Sequence, residues 1–503
     1  MASYAAWLAG RPDLARGTAH FAVRAVGSAP ARQAAAAALA ALSVRSAAHL
    51  AAPSACSFLP ALTAALVSTL AASLGSLADG TAAEAALDDL VATAARTCGA
   101  LPAGGFEAAQ SCLEPVMRPL SSPASLSPLA ASRLITLTAT SVRFASFGEG
   151  GAGAAAGTRG AAAAAVASFV WPAVSAAAEL HAGTTDHDAR ERLATAVGDA
   201  IGTIVRTAGP ALGPALPALV DTALQGFERS FCGSYVDAVS AVCECFGPSG
   251  EEAALESLAR WLDRVNARAL PGMAAGEGGA ARPVAAPETV AAVLELQRVA
   301  VLFAPGAVAQ SASLAASVRA ANALLGSARH PRVLHGAAAL LETLGRATAH
   351  ADKAASGVVS ASASQLPGSR GRVWAAMRDV APSVVATTAR CPGLPFQLII
   401  DTCGRALWGF LRSSLAETLS SGRPATDDPC ARALAAALGA EDYPTRAPEL
   451  TAAHRSAVGT ALLGLVVSAD DRQAEFSLLA GVLFRVANGT KPLEELAALI
   501  NDS

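Results

Sequence analysis

Residues 59–80 read LPALTAALVSTLAASLGSLADG, with Leu59, Leu62, Leu66, Leu70, Leu74 and Leu77 on one stripe and Ala, Ser and Thr on the other faces. Spacings of three and four residues put those leucines along one side of a helix, and Asp79-Gly80 supplies the turn residues that end it. The next stretch, TAAEAALDDLVATAARTCG at residues 81–99, opens with the capping box Thr81-x-x-Glu84, carries Leu87, Leu90 and Val91, and stops at Cys98-Gly99. A helix pair of this length can bury its stripes only against neighbouring pairs. Its recurrence along the chain predicts an all-α fold, an α-solenoid wound as a right-handed superhelix of antiparallel helix pairs.

Composition points the same way. A chain of 503 residues exceeds what one hydrophobic core supports, so it is several domains or one stacked array. Its apolar fraction is 53%, mostly Ala with Leu and Val behind it, and only 4% of residues are aromatic. Alanine is the best helix former, and the alternating β-branched and aromatic runs that strands need are scarce. Lys353 and Lys491 are the only lysines among 37 basic residues, so the excess of Arg, Ala, Gly and Pro reflects coding bias as much as chemistry. A net charge of −3 with scattered basic residues argues against nucleic acid as a partner. The nine cysteines lack disulfide-like density and no signal peptide is visible, which points to a reducing compartment, cytoplasm or nucleus.

The mean hydropathy of +0.41 raises the question of a membrane. The uncharged run at residues 50–78 keeps its leucines on one face and carries Ser54, Ser57, Thr63, Ser68, Thr69, Ser73 and Ser76 on the others. A lipid-facing helix needs apolar residues all round, so no membrane insertion is expected. The Ala-rich stretch at 161–178 contains Pro172 and reads as a closely packed helix.

Turn signals divide the chain into HEAT-like repeats at 1–147, a Gly/Ala-rich connector GEGGAGAAAGTRG at 148–160, repeats at 161–269, a flexible connector at 270–287, and repeats at 288–503. Beyond the first connector, helices are predicted at 161–181, 187–207, 210–227, 231–246 and 251–269. After the second they are predicted at 288–303, 308–328, 332–349, 353–365, 372–390, 395–419, 429–438, 448–467, 470–487 and 493–500. Over the whole chain this makes about twenty helices in about ten pairs, near the roughly forty-residue period of HEAT units. The connectors are expected to be the most mobile internal parts.

Several segments resemble units of the importin-beta superfamily, and their order resembles its transportin-SR and importin-thirteen branch, in its C-terminal portion. They are WLAGRPDL at 7–14, FVWPAVSAAAELH at 169–181, RTAGPALGPALPALVDTALQGF at 206–227 and SYVDAVSAVCECFG at 234–247. PETVAAVLELQRVAVLFAP at 287–305, LPFQLIIDTCGRALWGFL at 394–411 and DRQAEFSLLAGVLFRVANG at 471–489 follow in the same order. No one segment is a sharp motif; their collinear order carries the resemblance. It implies a nuclear transport receptor that shuttles between cytoplasm and nucleus, with protein cargo, nucleoporins and the Ran GTPase as partners. In that family the N-terminal repeats hold the principal Ran-GTP surface, and this chain is expected to enter the array partway along, in the cargo-side half.

The resemblance also implies where cargo would be gripped. The family's transportin-SR members place arginines on one exposed helix face to hold phosphorylated Arg-Ser segments by charge-assisted hydrogen bonds. Aligned to residues 187–207, that face reads Arg192, Ala196, Asp199, Gly202 and Arg206. Two arginines remain and Asp199 would repel phosphate, so selective binding of phosphorylated cargo is not expected. The other reading of Arg192 and Arg206 is an ordinary solvated face.

Catalytic and metal-binding patterns fail on their context. Gly148-x-Gly150-x-x-Gly153 matches a dinucleotide fingerprint but follows a helix in low-complexity sequence, with no strand before it. Cys243 and Cys245 are two apart on a helix and face different directions, and His330 and His335 are five apart around Pro331. No catalytic, cofactor-binding or metal-ligating residue is therefore assigned, and an enzyme is not expected. Trp171, Trp261, Trp374 and Trp408 lie in helical segments and read as fillers of inter-repeat gaps or as groove-lining residues. A HEAT-repeat scaffold or adaptor in another cytoplasmic assembly fits the composition equally well.

Overall fold

The computed structural model describes residues 127–144, 156–273, 286–328, 330–349, 366–390, 397–468 and 472–502, together with Leu14, Gly17, Phe21, Arg24, Ala25 and Leu120. The Leu59–Leu77 stripe, the Gly148-x-Gly150-x-x-Gly153 pattern and the helix expected at 353–365 lie outside the described residues. Among these residues there is no strand. The chain divides into two compact units, Met1–Cys245 and Phe246–Ser503.

In the first unit, α1 (Pro128–Phe144) and α2 (Ala156–Gly183) pack on α3 (His187–Ala208), and α4 (Leu216–Ser230) packs on α2 and α3. Helix α5 (Gly233–Phe246) follows. Asp186 starts α3 by accepting a hydrogen bond from the Ala189 amide at 3.2 Å, satisfying one of the open donors of the first turn. Leu193, Val197, Ile201, Ile204 and Val205 form its buried stripe, spaced three and four apart as an amphipathic helix requires. The helix stops at Gly209, where φ is +51°, and a 3-10 segment spans Gly209–Ala215 before α4. The single helix expected at 210–227 is thus broken at Gly213, whose φ/ψ of 16°/−91° no helix contains. Helix α2 likewise begins at Ala156, inside the span expected to be a connector.

The second unit contains α6 (Glu252–Met273), α7 (Pro287–Phe303), α8 (Pro305–Gln310), α9 (Leu314–Ser327), α10 (Pro331–Ala349), α11 (Leu366–Met377), α12 (Ala381–Ala389), α13 (Gln397–Ser420), α14 (Pro429–Gly439), α15 (Ala452–Val467), α16 (Gln473–Ala487) and α17 (Leu493–Asp502). Neighbours in the chain pack as pairs: α6 with α7, α9 with α10, α12 with α13, α15 with α16. The second members stack in a row in which α7 packs on α10, α10 on α13 and α13 on α16, while α6, α9, α12 and α14 form a second row. This two-layer stacking of helix pairs is the architecture of a HEAT-type α-solenoid.

Contacts fix the directions in the first row. Glu342, Gly345 and Thr348 meet Arg405, Gly409 and Ser413 in order, so α10 and α13 run parallel, and Leu294 of α7 meets Gly336 of α10. Helix α16 runs the other way, because Trp408 packs on Phe476 with ring centroids 5.2 Å apart while Asp401 reaches Arg485.

Two breaks and one extension in the second unit differ from the expected helix map. The segment at 308–328 is cut at 311–313, where the Asp263 carboxylate accepts from the Ser311 and Ser313 hydroxyls and from the Ala312 and Ser313 amides. The segment at 372–390 is cut before Ala381, with Pro382 in the first turn of α12. Helix α6 passes Pro271 and reaches Met273, inside the span expected to be the second connector.

Candidate functional site

Helix α3 carries the three residues singled out as cargo contacts, and α5 runs alongside it. A methyl group added at Gly198 would lie 2.6 Å from the Ser234 carbonyl carbon, and one at Gly202 would lie 3.6 Å from Ala238 Cα. The helices therefore meet along a seam of small residues. Ala196, 6% exposed, and Gly202 are buried, whereas Arg192, Asp199 and Arg206 keep exposed side chains. This corrects the expectation that all five positions form one open face: the charges rim a packed seam.

The rim is partly self-neutralised. Arg206 Nε donates to Glu244 Oε2 at 3.1 Å across the α3–α5 seam. Asp199 is held above the usual carboxylate range by desolvation beside α5, against a Ser234 hydrogen bond and the pull of Arg206. An exposed pair of this kind contributes roughly 0–1 kcal/mol. The structure thus places Arg192, Asp199 and Arg206 on one helix but does not gather them into a guanidinium cluster.

Beneath this rim sits a buried polar pair. Tyr235 is fully buried with its ring against Gly226, and its hydroxyl lies 3.4 Å from His181 Nδ1. Burial, with the nearby Arg190 and Arg229 charges, lowers the His181 pKa to about 4, so the ring is neutral near pH 7. Close by in the chain, Glu179, Leu180, Gly183, Thr184, Thr185, Asp186 and Pro128 line a groove of about 440 Å³. Two of its polar groups are already engaged, Thr184 Oγ1 donating to the Leu180 carbonyl and Asp186 accepting from the Ala189 amide.

In the second unit the stacked row carries paired charges. Arg298 holds Glu295 by two hydrogen bonds of 2.6 and 2.7 Å on α7. Arg405 on α13 reaches Glu342 on α10 at 2.6 and 3.2 Å, Arg346 approaches the same carboxylate at 3.8 Å, and Arg485 on α16 holds Asp401 at 3.0 Å. Sequence reasoning missed this row. Its signal was present: acid precedes base by three or four residues in Glu295/Arg298, Glu342/Arg346 and Asp401/Arg405, the favourable order on a helix.

The tryptophans divide. Trp408 is core at 2% exposure, while Trp171, Trp261 and Trp374 are half-buried. Trp374 Nε1 donates to Glu417 Oε2 at 2.7 Å, and Arg378 holds the other oxygen of that carboxylate at 2.7 Å. Cys243 is buried and its thiol is pushed up to about 12 by burial, so it packs as a small apolar group. His335 is exposed on α10, and His330 precedes that helix with its Nδ1 buried. No group of three or more His, Cys, Asp or Glu among the described residues is arranged to hold a metal ion, and no described helix is long and apolar enough to cross a membrane.

No family model and no curated protein matches this chain. Solved structures do match: one titled "Importin13 cytosolic state" superposes on 98% of this chain with a TM-score of 0.63 at 12% sequence identity. This chain spans about half of that structure's length, 49%. At that identity the likeness is one of fold, and the chain is an α-solenoid of HEAT-like helix pairs with the fold of that structure.

Proposed function

We propose that this chain is the cargo-binding arch of an importin-beta-type nuclear transport receptor, which carries folded protein cargo through the nuclear pore and shuttles between cytoplasm and nucleus. The observation that carries this reading is the fold likeness to an importin over 98% of the chain. Nucleoporins and Ran GTPase are its proposed partners. Cargo is recognised along helix surfaces such as the rim of Arg192, Asp199 and Arg206, without cofactor chemistry. Permeabilised-cell import tests this directly: fluorescently labelled chain should collect at the nuclear rim and enter nuclei. It should also enter a Phe-Gly nucleoporin gel that excludes an inert protein of equal size. Exclusion from both would support the alternative of a scaffold or adaptor elsewhere in the cell.

Phosphorylated Arg-Ser peptides should show little advantage over unphosphorylated ones, because Arg206 is already paired with Glu244 and Asp199 adds negative charge beside it. A strong phosphate-dependent affinity abolished by Arg192→Ala would overturn that reading. Asp199→Arg is the substitution that should raise phosphopeptide affinity, since Ala196 lies buried and has no room for a guanidinium.

A further inference from the structure

We propose that the Asn488–Gly489 step is a site of spontaneous covalent modification, succinimide formation with water as the only co-reactant, which the cap ending α16 holds shut. It is the one Asn-Gly step in the chain. A side-chain amide followed by glycine is open to attack by the next backbone nitrogen, because no Cβ stands in the way. The same glycine is what the cap requires. Gly489 has a φ of +71°, in the left-handed region that favours glycine. Its amide donates to the Val486 carbonyl at 2.8 Å, and the Thr490 amide donates to the Arg485 carbonyl at 2.9 Å. These are the two bonds of a Schellman motif, so the residue that closes the helix is also the one that makes the step labile.

The cap blocks the reaction in two ways. The nucleophile is the Gly489 nitrogen, which must lose a proton that it now donates to the Val486 carbonyl. Ring closure also needs that nitrogen to swing beside Asn488 Cβ about the Cα–C bond. At φ −79° and ψ −3° it eclipses the backbone nitrogen of Asn488 instead. Once the cap opens, the Gly489 nitrogen bonds to Asn488 Cγ and the side-chain nitrogen leaves as ammonia, carrying the displaced proton. Water reaches exposed Gly489 and half-buried Asn488, adds to either carbonyl of the ring, and reopens it to aspartate or isoaspartate. Isoaspartate carries the main chain through the side chain, one methylene longer, so the amides of residues 489 and 490 no longer meet Val486 and Arg485. Either product also places a carboxylate at the negative end of the α16 dipole. The joint that seats α17 on α16, with Leu496 fully buried, is thereby loosened.

Peptide mapping of the full chain after incubation at pH 8, with isoaspartate counted by enzymatic methyl transfer, tests this. Product should form at residue 488 at least about tenfold more slowly in the native chain than in the same chain in guanidinium chloride, since opening an ordered cap costs free energy. Asn488→Gln, whose longer side chain cannot close the five-membered ring, should abolish it. Thr490→Val removes only the hydroxyl bond to the Arg485 carbonyl, and Leu496→Ala leaves a cavity under α17. Both should speed the native reaction and leave the denatured rate unchanged. In modified wild-type chain, hydrogen exchange should show protection lost in 493–502 and kept in α13. Equal rates in native and denatured chain, or native variants no faster than wild type, would refute the gating. A denatured chain that forms no product would refute the site, and modified chain with 493–502 still protected would refute the loosening. None of these readouts involves cargo, so the inference stands or falls independently of the transport reading.

Discussion

Arg455 is expected to be the least replaceable charged residue in the second unit, and replacing it by lysine should be nearly as damaging as removing it. Its side chain is 5% exposed, and no carboxylate partner accompanies its described hydrogen bonds. Nε donates to the Leu438 carbonyl at 2.6 Å, Nη1 to Leu450 at 2.9 Å and Nη2 to Ala440 at 2.9 Å, while the guanidinium carbon lies 4.8 Å from the centroid of the Tyr443 ring. One planar fork thus ties the end of α14 and the long 440–451 connection to α15. Lysine has the charge but only one nitrogen, and it cannot reach three carbonyls set around a plane.

The magnitude follows from what is left unpaired. Hydrogen bonds to a charged group are worth roughly 1.5–3 kcal/mol each, and a buried acceptor stripped of its donor costs about 1–3 kcal/mol. Desolvation of the guanidinium offsets part of the gain, so Arg455→Met should destabilise this region by about 3–5 kcal/mol and Arg455→Lys by about 2–4 kcal/mol. A stacked array need not unfold in one step, so a single melting temperature would blur the effect. Hydrogen-exchange mass spectrometry resolves it: protection in 438–452 should fall by at least an order of magnitude in both variants, with α10 little changed. If Arg455→Lys left protection in 438–452 within a factor of two of wild type, the three-carbonyl fork would not be what holds this connection.

Gly409→Ala should destabilise the α10–α13 contact by about 1–3 kcal/mol or more, because the added methyl meets backbone atoms that cannot swing aside; urea unfolding followed by helical circular dichroism reads it. His181 gives a pH dependence whose sign is set by a folded-state pKa of about 4 against an unfolded value near 6.5. Its stabilising contribution is complete above about pH 6.5 and is lost as pH falls toward 4, up to about 3 kcal/mol. His181→Gln should flatten that part of the stability profile of the first unit. Cys243 and Cys430, both buried with thiols pushed up to about 12, should resist iodoacetamide at pH 8 in the native chain and react once it is unfolded in urea; rapid native labelling of either would contradict their placement.

Helix existence was legible in the sequence and helix continuity was not, for reasons that differ from break to break. The stripe Leu193, Val197, Ile201, Ile204 and Val205 announces α3, and Asp186 and Gly209 bracket it, so local rules suffice. The cut at 311–313 depends on Asp263, about fifty residues away, whose carboxylate takes the free amides of that turn; no local window contains that information. Pro172 and Pro271 warn against helix and yet sit inside α2 and α6, while Pro382 begins α12 where a continuous helix was expected. A proline marks a boundary only when packing lets the helix stop there. For the candidate site, periodicity placed Arg192, Asp199 and Arg206 on one face, but on the same face Gly202 meets α5 and Ala196 is buried, and the sidedness of a small-residue stripe depends on its neighbour.

The same small-residue seams account for how so few aromatics can fill so long an array. With 4% aromatic residues, volume between helices cannot be supplied by large side chains, so the helices must approach more closely. They do so where glycine removes a Cβ: Gly198 against Ser234, Gly306 against Leu255, and Gly345 against Gly409. The large rings that exist are placed where a seam needs one, Tyr235 against Gly226 and Trp408 against Phe476. Packing of this kind constrains spacing and leaves residue identity at exposed positions free, which is how 12% identity coexists with a shared fold over nearly the whole chain. It also moves the sites of greatest mutational sensitivity from large core residues to glycines. Alanine at 198 or 409 should therefore be more damaging than a volume-conserving exchange such as Leu341→Met, the reverse of the order expected for an aromatic-rich core.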